Sequence, residues 1–501
     1  MLHAVKITAA ALVGASLAVA ATAQTALTTT QSTTHAQITT TQSQSRNGAG
    51  TSTFVGTTSF SSPTLIPISR FDTSTGILVG ARMSVSIPYT MSVSATGTVP
   101  ASGSGRTVDV TSNVSGSVII AGTSITTTSF AAAPKCNSGD CLNQSSNNTD
   151  STSGTLSGTA TVATANLAAL AGSGPGTVNF STRVNATNTQ IVNGSAVTTG
   201  FANTSVSLGS TTTASNVYSV SYDYLKFANP SFNSASTVRT ATVNFGTRFI
   251  DSGTTSQVIT LSNIGDGNTA GLAVNSITRS TNNANLTTTL TPISNIAANT
   301  GQNFAIGLNP ATVGSHSDTF TINTSDYAPG GVGIRNYALT VTASATLLNH
   351  ASPSFNGSTI ETSKTIDFGL VSSRGGPVLQ NFQLFNIGDL NSAGLELYQI
   401  NGPGNSLFTS NISTFLNLAG GGSNNYSVTL NPLNLGIANG IYTFLFRDYA
   451  PGVSGGRNYT LTLNLIAQVF DPVPEPATWM SMLFGFGLVG ALARRRARTA
   501  A

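Results

Sequence analysis

Few side chains in this chain could carry acid–base or metal chemistry. Its 501 residues include only 4 histidines, 2 cysteines and 16 acidic residues. General acid–base catalysis needs titratable groups held within reach of the reacting atoms. The histidines are spread along the chain, at His3, His35, His316 and His350. The sequence has no Ser-His-Asp order, HExxH motif or close carboxylate pair. We therefore predict no catalytic residue, cofactor or metal, and a protein that is not an enzyme.

Two short stretches could offer oxygen ligands to calcium. Asp266 and Asn268 belong to the first, and Asp389 and Asn391 to the second. A calcium loop carries more carboxylates at fixed spacing than either stretch does. Asp and Asn in tight turns bond their own backbone instead. The sequence therefore favours two turns over two calcium sites, with calcium as the alternative.

Two other motifs match nucleotide-binding signatures in spelling alone. Residues 485–490 read GxGxxG, but they follow no predicted strand and lie inside an apolar run. Asp367, Phe368 and Gly369 spell the kinase metal triplet, but the matching position of an internal repeat is Asn244. Because a metal ligand would hardly vary between copies, we interpret this triplet as the start of a strand.

The two cysteines are close together in the sequence. Cys136 and Cys141 are separated by four residues, with no histidine or further cysteine nearby. In an oxidising compartment this spacing favours a small disulfide loop over a metal site.

The C-terminal stretch combines a proline-flanked glutamate, an apolar run and an arginine cluster. The residues that define it are Pro474, Glu475, Pro476, Arg494, Arg495 and Arg496. Proline is favoured in the first turn of a helix, so we predict a helix from about Pro476. Residues 477–493 carry no charge, and their 17 positions are at the short end of a transmembrane helix. Trp479 suits the outer interface, and the arginines suit the cytoplasmic end.

This arrangement resembles the PEP-CTERM sorting signal of Gram-negative bacteria, also called the ice-binding protein C-terminal domain. The resemblance implies recognition by an exosortase, a membrane cysteine protease. It implies a transient anchor in the inner membrane, followed by delivery to the cell surface or extracellular matrix. It also implies association with exopolysaccharide.

The N-terminus predicts export as well. Lys6 precedes an apolar stretch, and Ala21 and Ala23 form an A-x-A cleavage site before Gln24. Residues 1–23 are therefore predicted to be a secretory signal peptide.

The formal charge of +4 does not indicate a nucleic-acid partner. Five of the 20 basic residues lie in the signal peptide or the C-terminal arginine cluster, which leaves 15 against 16 acidic residues. Without a basic patch the body has no means of attracting phosphates, so we expect no nucleic-acid binding.

The first half of the body has two parts by composition. Residues 24–60 are rich in Thr, Ser and Gln and poor in apolar residues, and they are predicted to be a flexible linker. Residues 61–228 show short runs of alternating apolar residues, which predict a β-rich N-terminal domain. Within it, residues 136–158 are predicted to form a long loop. The segment 71–78 resembles the start of "choice-of-anchor E" domains.

The second half contains an internal duplication. Five landmarks recur at an offset of 122 or 123 residues. They begin at Asn244 and Asp367, Asn263 and Asn386, Leu308 and Leu430, Asp326 and Asp448, and Arg335 and Arg457. Alternating apolar residues and tight turns predict two immunoglobulin-like β-sandwiches, repeat 1 (238–346) and repeat 2 (360–470), ahead of the tail at 471–501. The pattern resembles "choice-of-anchor D" domains.

The sequence thus predicts an all-β, exported protein of the cell surface or matrix, with the repeats as spacers or interaction modules. The alternatives are an adhesin, a glycan-binding module and an ice-binding module. Thr128, Thr182 and Thr187 show no constant spacing, so the sequence disfavours an ice-binding threonine ladder.

Overall fold

The computed structural model describes residues 24–35, 38–46, 52–98, 107–120, 122–126, 130–132, 135–137, 146–193, 199–208, 216–472 and 476–497. The fold is all-β with one C-terminal helix, as predicted. Three β units follow one another along the chain: an N-terminal domain, repeat 1 and repeat 2.

The N-terminal domain is built from two six-stranded sheets. Its strands are β1 (Leu27–His35), β2 (Ile38–Arg46), β3 (Ser52–Ser69), β4 (Phe71–Asp72), β5 (Ile77–Thr98), β6 (Thr107–Ile120), β7 (Thr123–Thr126), β8 (Phe130–Ala132), β9 (Lys135–Asn137), β10 (Ser146–Thr161), β11 (Ala171–Gly172), β12 (Thr177–Asn193), β13 (Thr199–Leu208) and β14 (Asn216–Leu225). One sheet has the order β1-β14-β5-β13-β2 with β10 on β5, and the other has the order β3-β12-β6-β7 with β8 and β9 on β6. A 3₁₀ helix (Thr164–Leu170) precedes β11, which pairs with β4.

Two aromatic side chains join the sheets of this domain. Phe180 on β12 and Tyr218 on β14 are fully buried, and their ring centroids lie 5.4 Å apart. The Tyr222 hydroxyl donates to the Ser69 carbonyl across the same interface at 2.8 Å. Burial raises the pKa of Tyr222 to about 12, so this hydroxyl keeps its proton at neutral pH.

The predictions of a linker at 24–60 and a loop at 136–158 were wrong for most of those residues. Strand β1 pairs with β14 over its whole length, and β10 pairs with β5 from Ser146 to Thr161. Threonine favours strands, and a polar strand can be held by backbone pairing to an apolar neighbour. Low apolar content alone therefore does not distinguish an edge strand from a linker.

The two repeats have the same topology. Repeat 1 contains β15 (Pro230–Ser231), β16 (Thr240–Phe249), β17 (Thr255–Asn263), β18 (Gly271–Arg279), β19 (Leu286–Thr288), β20 (Ile293–Ile296), β21 (Thr300–Leu308), β22 (Gly314–Tyr327) and β23 (Asn336–Leu348). Repeat 2 contains β24 (Pro353–Ser354), β25 (Ser363–Ser372), β26 (Val378–Asn386), β27 (Gly394–Asn401), β28 (Phe408–Ser410), β29 (Phe415–Leu418), β30 (Ser423–Leu430), β31 (Gly436–Tyr449) and β32 (Asn458–Phe470). Each packs a four-stranded sheet (β15-β17-β21-β19; β24-β26-β30-β28) on a five-stranded one (β16-β23-β22-β18-β20; β25-β32-β31-β27-β29).

The landmark that begins at Asn244 and Asp367, with Phe-Gly as its next two residues, is a β-bulge in each repeat. It directs a phenylalanine ring into each core. The glycine after the phenylalanine has φ +69° at Gly246 and +67° at Gly369, where a side chain would be strained. Its amide donates to the side-chain oxygen two residues earlier, on Asn244 at 2.8 Å and on Asp367 at 2.7 Å. Either residue type supplies that acceptor, which explains why Asn and Asp interchange.

A buried carboxylate organises one end of repeat 1. Asp318 accepts hydrogen bonds from the Arg279 guanidinium at 2.6 Å and from the Thr281 and Asn283 amides at 3.1 Å. Burial alone would raise the pKa of Asp318, but these donors outweigh it and lower the pKa from 3.8 to about 2. The equivalent strand position in repeat 2 is Gly440, so repeat 2 lacks this carboxylate.

This difference predicts an acid sensitivity confined to repeat 1. The folded pKa of Asp318 lies below the unfolded value, so its stabilisation is complete above pH 4 and is lost as the pH falls towards 2. The loss is expected to be about 2 kcal/mol. Hydrogen exchange at the Thr281 and Asn283 amides, compared between pH 5 and pH 2, measures it. Asp318→Asn should flatten the dependence, and an equal loss in repeat 2 would contradict the assignment to Asp318.

The C-terminal helix α1 (Pro476–Ala497) begins at the predicted proline. Its apolar side chains are exposed to solvent on all sides, among them Phe484 and Phe486, each more than 70% exposed. In the part of the chain that the structure describes, no helix is both long enough and apolar enough to cross a membrane. The transmembrane helix predicted at 477–493 is therefore not supported.

Candidate functional site

The structure brings polar residues together at the two junctions between consecutive β units. Two of the repeated landmarks meet there, the Asp-Tyr-Ala-Pro-Gly segment that begins at Asp326 and Asp448 and the Arg-Asn-Tyr segment that begins at Arg335 and Arg457. Asp326 at the first junction and Asp448 at the second are buried, although both are acidic. Each binds the segment that enters its own repeat.

At the first junction, Asp326 accepts three hydrogen bonds. The Ala228 amide donates at 2.7 Å, the Tyr337 hydroxyl at 3.0 Å and the Arg335 amide at 2.7 Å. Burial raises the pKa of Asp326 despite these donors. The carboxylate thus fixes where the chain leaves the N-terminal domain and enters repeat 1.

Residues of the N-terminal domain complete this junction. The amides and carbonyls of Leu78 and Val332 bond each other, at 3.0 and 2.9 Å. The Arg335 guanidinium lies 3.4 Å from the centroid of the Phe227 ring and donates to the Ser74 carbonyl at 3.0 Å. Backbone pairing and a cation–π contact therefore hold the two units together.

At the second junction, Asp448 takes the place of Asp326. It accepts from the Ala351 amide at 2.8 Å, the Tyr459 hydroxyl at 3.0 Å and the Arg457 amide at 2.6 Å. A fourth partner, His350, lies at 2.7 Å through Nδ1. His350 occupies the position of Phe227 in the first junction.

His350 links repeat 1 to repeat 2. Its Nε2 lies 2.9 Å from Asp251 of repeat 1, while its Nδ1 bonds Asp448 of repeat 2. Each ring nitrogen thus lies within hydrogen-bond distance of one carboxylate. Its ring also stacks on Phe249, with centroids 4.4 Å apart.

Asp251 is itself shared between His350 and Arg457. The hydrogen bond from His350 is the main cause of a lowered pKa of Asp251. Burial opposes it, and the hydrogen bond from Arg457 at 2.6 Å adds to the lowering. Arg457 corresponds to Arg335, and each reaches back into the preceding unit. The second junction therefore uses His350 and Asp251 where the first uses the Phe227 ring and the Ser74 carbonyl.

Sequence reasoning missed a motif that forms these junctions. The Ala-x-Pro-Ser-Phe segment begins at Ala228 and recurs at Ala351, at the same 123-residue offset as the landmarks. Both copies supply the amide that bonds the buried aspartate. The repeat offset could have revealed it, since Pro-Ser-Phe occurs at both places.

The two candidate calcium stretches form turns. Asp266 accepts from the Asn268 amide at 3.0 Å, and Asp389 accepts from the Asn391 amide at 2.9 Å. Lys226 also pairs with Asp266, which lowers the pKa of that carboxyl. Among the described residues, no group of three or more His, Cys, Asp or Glu side chains is placed to hold a metal ion.

Of the four histidines, His3 lies outside the described residues and the other three lie in strands or at a junction. His316 lies on β22 and bonds Asn283, Asn285 and Thr312. His35, predicted in the linker, ends β1. His316 has the contacts of a structural histidine.

The sorting residues are only partly described. Pro476 begins α1, and Arg494, Arg495 and Arg496 lie in its last turn. Other predicted site residues lie outside the described residues, namely Ala21, Ala23, Cys141, Pro474 and Glu475. Cys136 lies on β9. The signal cleavage site and the disulfide therefore stay predictions.

Comparison with known families identifies the tail. Residues 472–497 match the model of the PEP-CTERM protein-sorting motif. This motif implies an exported surface protein that is anchored at the membrane by its C-terminus and then processed by an exosortase. A comparison with curated proteins finds no match.

Solved structures similar to parts of this chain come from several kinds of protein. The ASH/PapD-like domain of human CEP192 is 15% identical and aligns over 22% of this chain and 84% of its own, with a TM-score of 0.19. Drosophila N-cadherin EC1-4 is 10% identical over 56% of this chain and 61% of its own, with a TM-score of 0.27. CfaE, the adhesive subunit of the Escherichia coli CFA/I fimbria, is 10% identical over 34% and 64%, with a TM-score of 0.21.

Proposed function

We propose that this protein is a non-enzymatic component of the cell surface or extracellular matrix, sorted by an exosortase-type system and associated with exopolysaccharide. The observation that carries the proposal is the match to the sorting motif at 472–497. The tail joins the body directly after β32, the last strand of repeat 2. Removing it would leave the three β units intact.

The character of α1 supports a role in holding the chain at the inner membrane before processing. The exposed apolar side chains of α1 suit contact with an apolar environment, without requiring that the helix span it. The arginines of its last turn would favour the cytoplasmic face. Processing within Pro474 to Pro476 would then separate the body from this helix.

The junctions support a spacer role for the body. Each junction fixes the entering segment by a buried aspartate and binds the preceding unit through an arginine. Units joined in this way hold a set spacing from the surface, which suits a matrix or surface protein.

Replacing Pro474, Glu475 and Pro476 together by alanine tests the proposal. We expect the variant to stay in the membrane fraction with its arginine tail, because the protease loses its extended recognition segment. The parent should lose the tail and move to the surface or medium. Cell fractionation and intact-mass measurement of each fraction distinguish the two.

The matched control is Asp471→Ala, which removes an exposed charge just before the matched motif. It should be processed like the parent. If parent and triple variant both retain Arg494 to Arg496 at steady state, the tail is a permanent anchor and the sorting proposal fails.

A further inference from the structure

Repeat 2 contains a polar cavity of about 660 Å³ beside strands β26 and β30. Its lining is dominated by amide side chains and aromatic rings. The residues are Phe355, Lys364, Asn381, Phe382, Gln383, Asn411, Asn425, Tyr426 and Ser427. A cavity of this volume is large enough for one or two sugar rings.

The amides leave hydrogen-bonding groups available to a ligand. Gln383 donates to the Asn425 side-chain oxygen, and Asn411 accepts from the Ser427 amide at 2.7 Å. The Gln383 oxygen and the NH₂ groups of Asn425 and Asn411 are not used in these two bonds. Each sugar hydroxyl both donates and accepts, so such a set of amides matches a pyranose ring.

Two aromatic rings provide an apolar surface beside these amides. Phe382 is buried and Tyr426 is half-buried, with ring centroids 5.9 Å apart. An aromatic side chain with one exposed edge or face can pack on the C–H groups of a sugar while neighbouring amides bond its hydroxyls.

Lys364 is the one charged residue of the lining. Within the described part of the chain, neither Lys364 nor the side chain of Asn381 has a hydrogen-bond or ion-pair partner. The lining includes no carboxylate that could neutralise the ammonium group. Charge complementarity therefore favours a ligand that carries an anion.

Repeat 1 provides an internal comparison. The shared strand pairing places Ala241, Val258 and Ala305 where repeat 2 has Lys364, Asn381 and Ser427. At three equivalent positions of the same sandwich, repeat 2 therefore has polar residues and repeat 1 has apolar ones. The framework does not need them for folding, since repeat 1 forms the same sandwich without them.

We propose that this cavity is a binding site for a uronate-containing glycan, with the carboxylate on Lys364, the hydroxyls on the amides and the ring against Tyr426. This inference deepens the proposed association with exopolysaccharide by naming a ligand class and a site. It concerns binding by the purified protein, which does not depend on sorting.

Calorimetric titration of the full-length protein in a non-glycosidic detergent tests it. The probes are a mannuronate hexamer and a mannose hexamer, which differ at the carboxylate. We expect the mannuronate hexamer to bind at least about tenfold more tightly at low salt, because its carboxylate can form a charge-assisted hydrogen bond with Lys364. Raising the salt concentration should reduce the difference in affinity between the two hexamers, because salt screens a partly exposed pair of Lys364 and carboxylate.

The informative variant converts the cavity to the residues of repeat 1, by Lys364→Ala, Asn381→Val and Ser427→Ala together. It should lose at least about tenfold in affinity for the mannuronate hexamer while keeping its thermal unfolding profile. Lys226→Ala removes the same charge outside the cavity and should bind like the parent.

Equal binding of the two hexamers, retained binding by the triple variant, or no heat of binding up to about 1 mM probe would each overturn the proposal. A protein that binds the mannuronate hexamer but keeps its tail in cells would instead contradict sorting alone. The two proposals therefore fail separately.

Discussion

Replacing Asp448 by alanine is expected to destabilise repeat 2 by about 3–5 kcal/mol, because it leaves three donors without their shared, buried acceptor. Those donors are the amides of Ala351 and Arg457 and the Tyr459 hydroxyl. His350 would lose its partner in repeat 2 as well. Urea unfolding followed by hydrogen exchange of peptides from β31 and β32 measures the change.

Two comparisons make this experiment specific. Asp389→Ala removes an exposed carboxylate that holds only its own turn, and it should cost less than about 1 kcal/mol. Asp326→Ala should weaken repeat 1 rather than repeat 2, since it makes the equivalent bonds there. Similar losses for Asp448→Ala and Asp389→Ala would show that the buried site is not a special anchor.

Replacing Phe368 by alanine is expected to cost repeat 2 about 3–5 kcal/mol through lost burial and the cavity left behind. The ring is only 8% exposed and lies 5.7 Å from that of Phe408. Phe245 has the equivalent position in repeat 1 and is 7% exposed, so Phe245→Ala should have a similar effect there. The same urea and hydrogen-exchange measurement, on peptides from β25 and β28, gives the value.

Leu370 is the matched control for Phe368 on the same strand. Its side chain is 70% exposed, so Leu370→Ala should change the stability by no more than about 0.5 kcal/mol. A loss below about 1 kcal/mol for Phe368→Ala would mean that the bulge does not aim a core residue.

The strands of the repeats could be predicted from local sequence because each buries one face. Alternating apolar residues such as Phe320 and Ile322 on β22 are buried, and their neighbours in the strand are less so. The offset between the repeats added a second, independent constraint. The same alternation of apolar residues at equivalent positions in both repeats therefore supported the strand prediction in each.

The polar strands could not be recognised in the same way. Strand β1 contains Thr28 and Thr30, whose hydroxyls bond Asp223 and Ser221 of β14. Its stability depends on that distant apolar neighbour, which buries Tyr218 and Val220. The composition of residues 27–35 does not show that they pair with β14, so the prediction of a linker was wrong there.

The sequence by itself determined the β-sandwich repeats, the position of the sorting motif and the start of its helix. Each depends on residues close together in the chain: strand alternation, the Phe-Gly bulge, and Pro476 before an apolar run. Tertiary structure alone decided the junctions and the cavity. His350 meets Asp251 and Asp448 across 99 and 98 residues, and Lys364 joins residues of two other strands. Such contacts arise only when separate sheets are packed, because chain distance carries no information about which polar groups will come together.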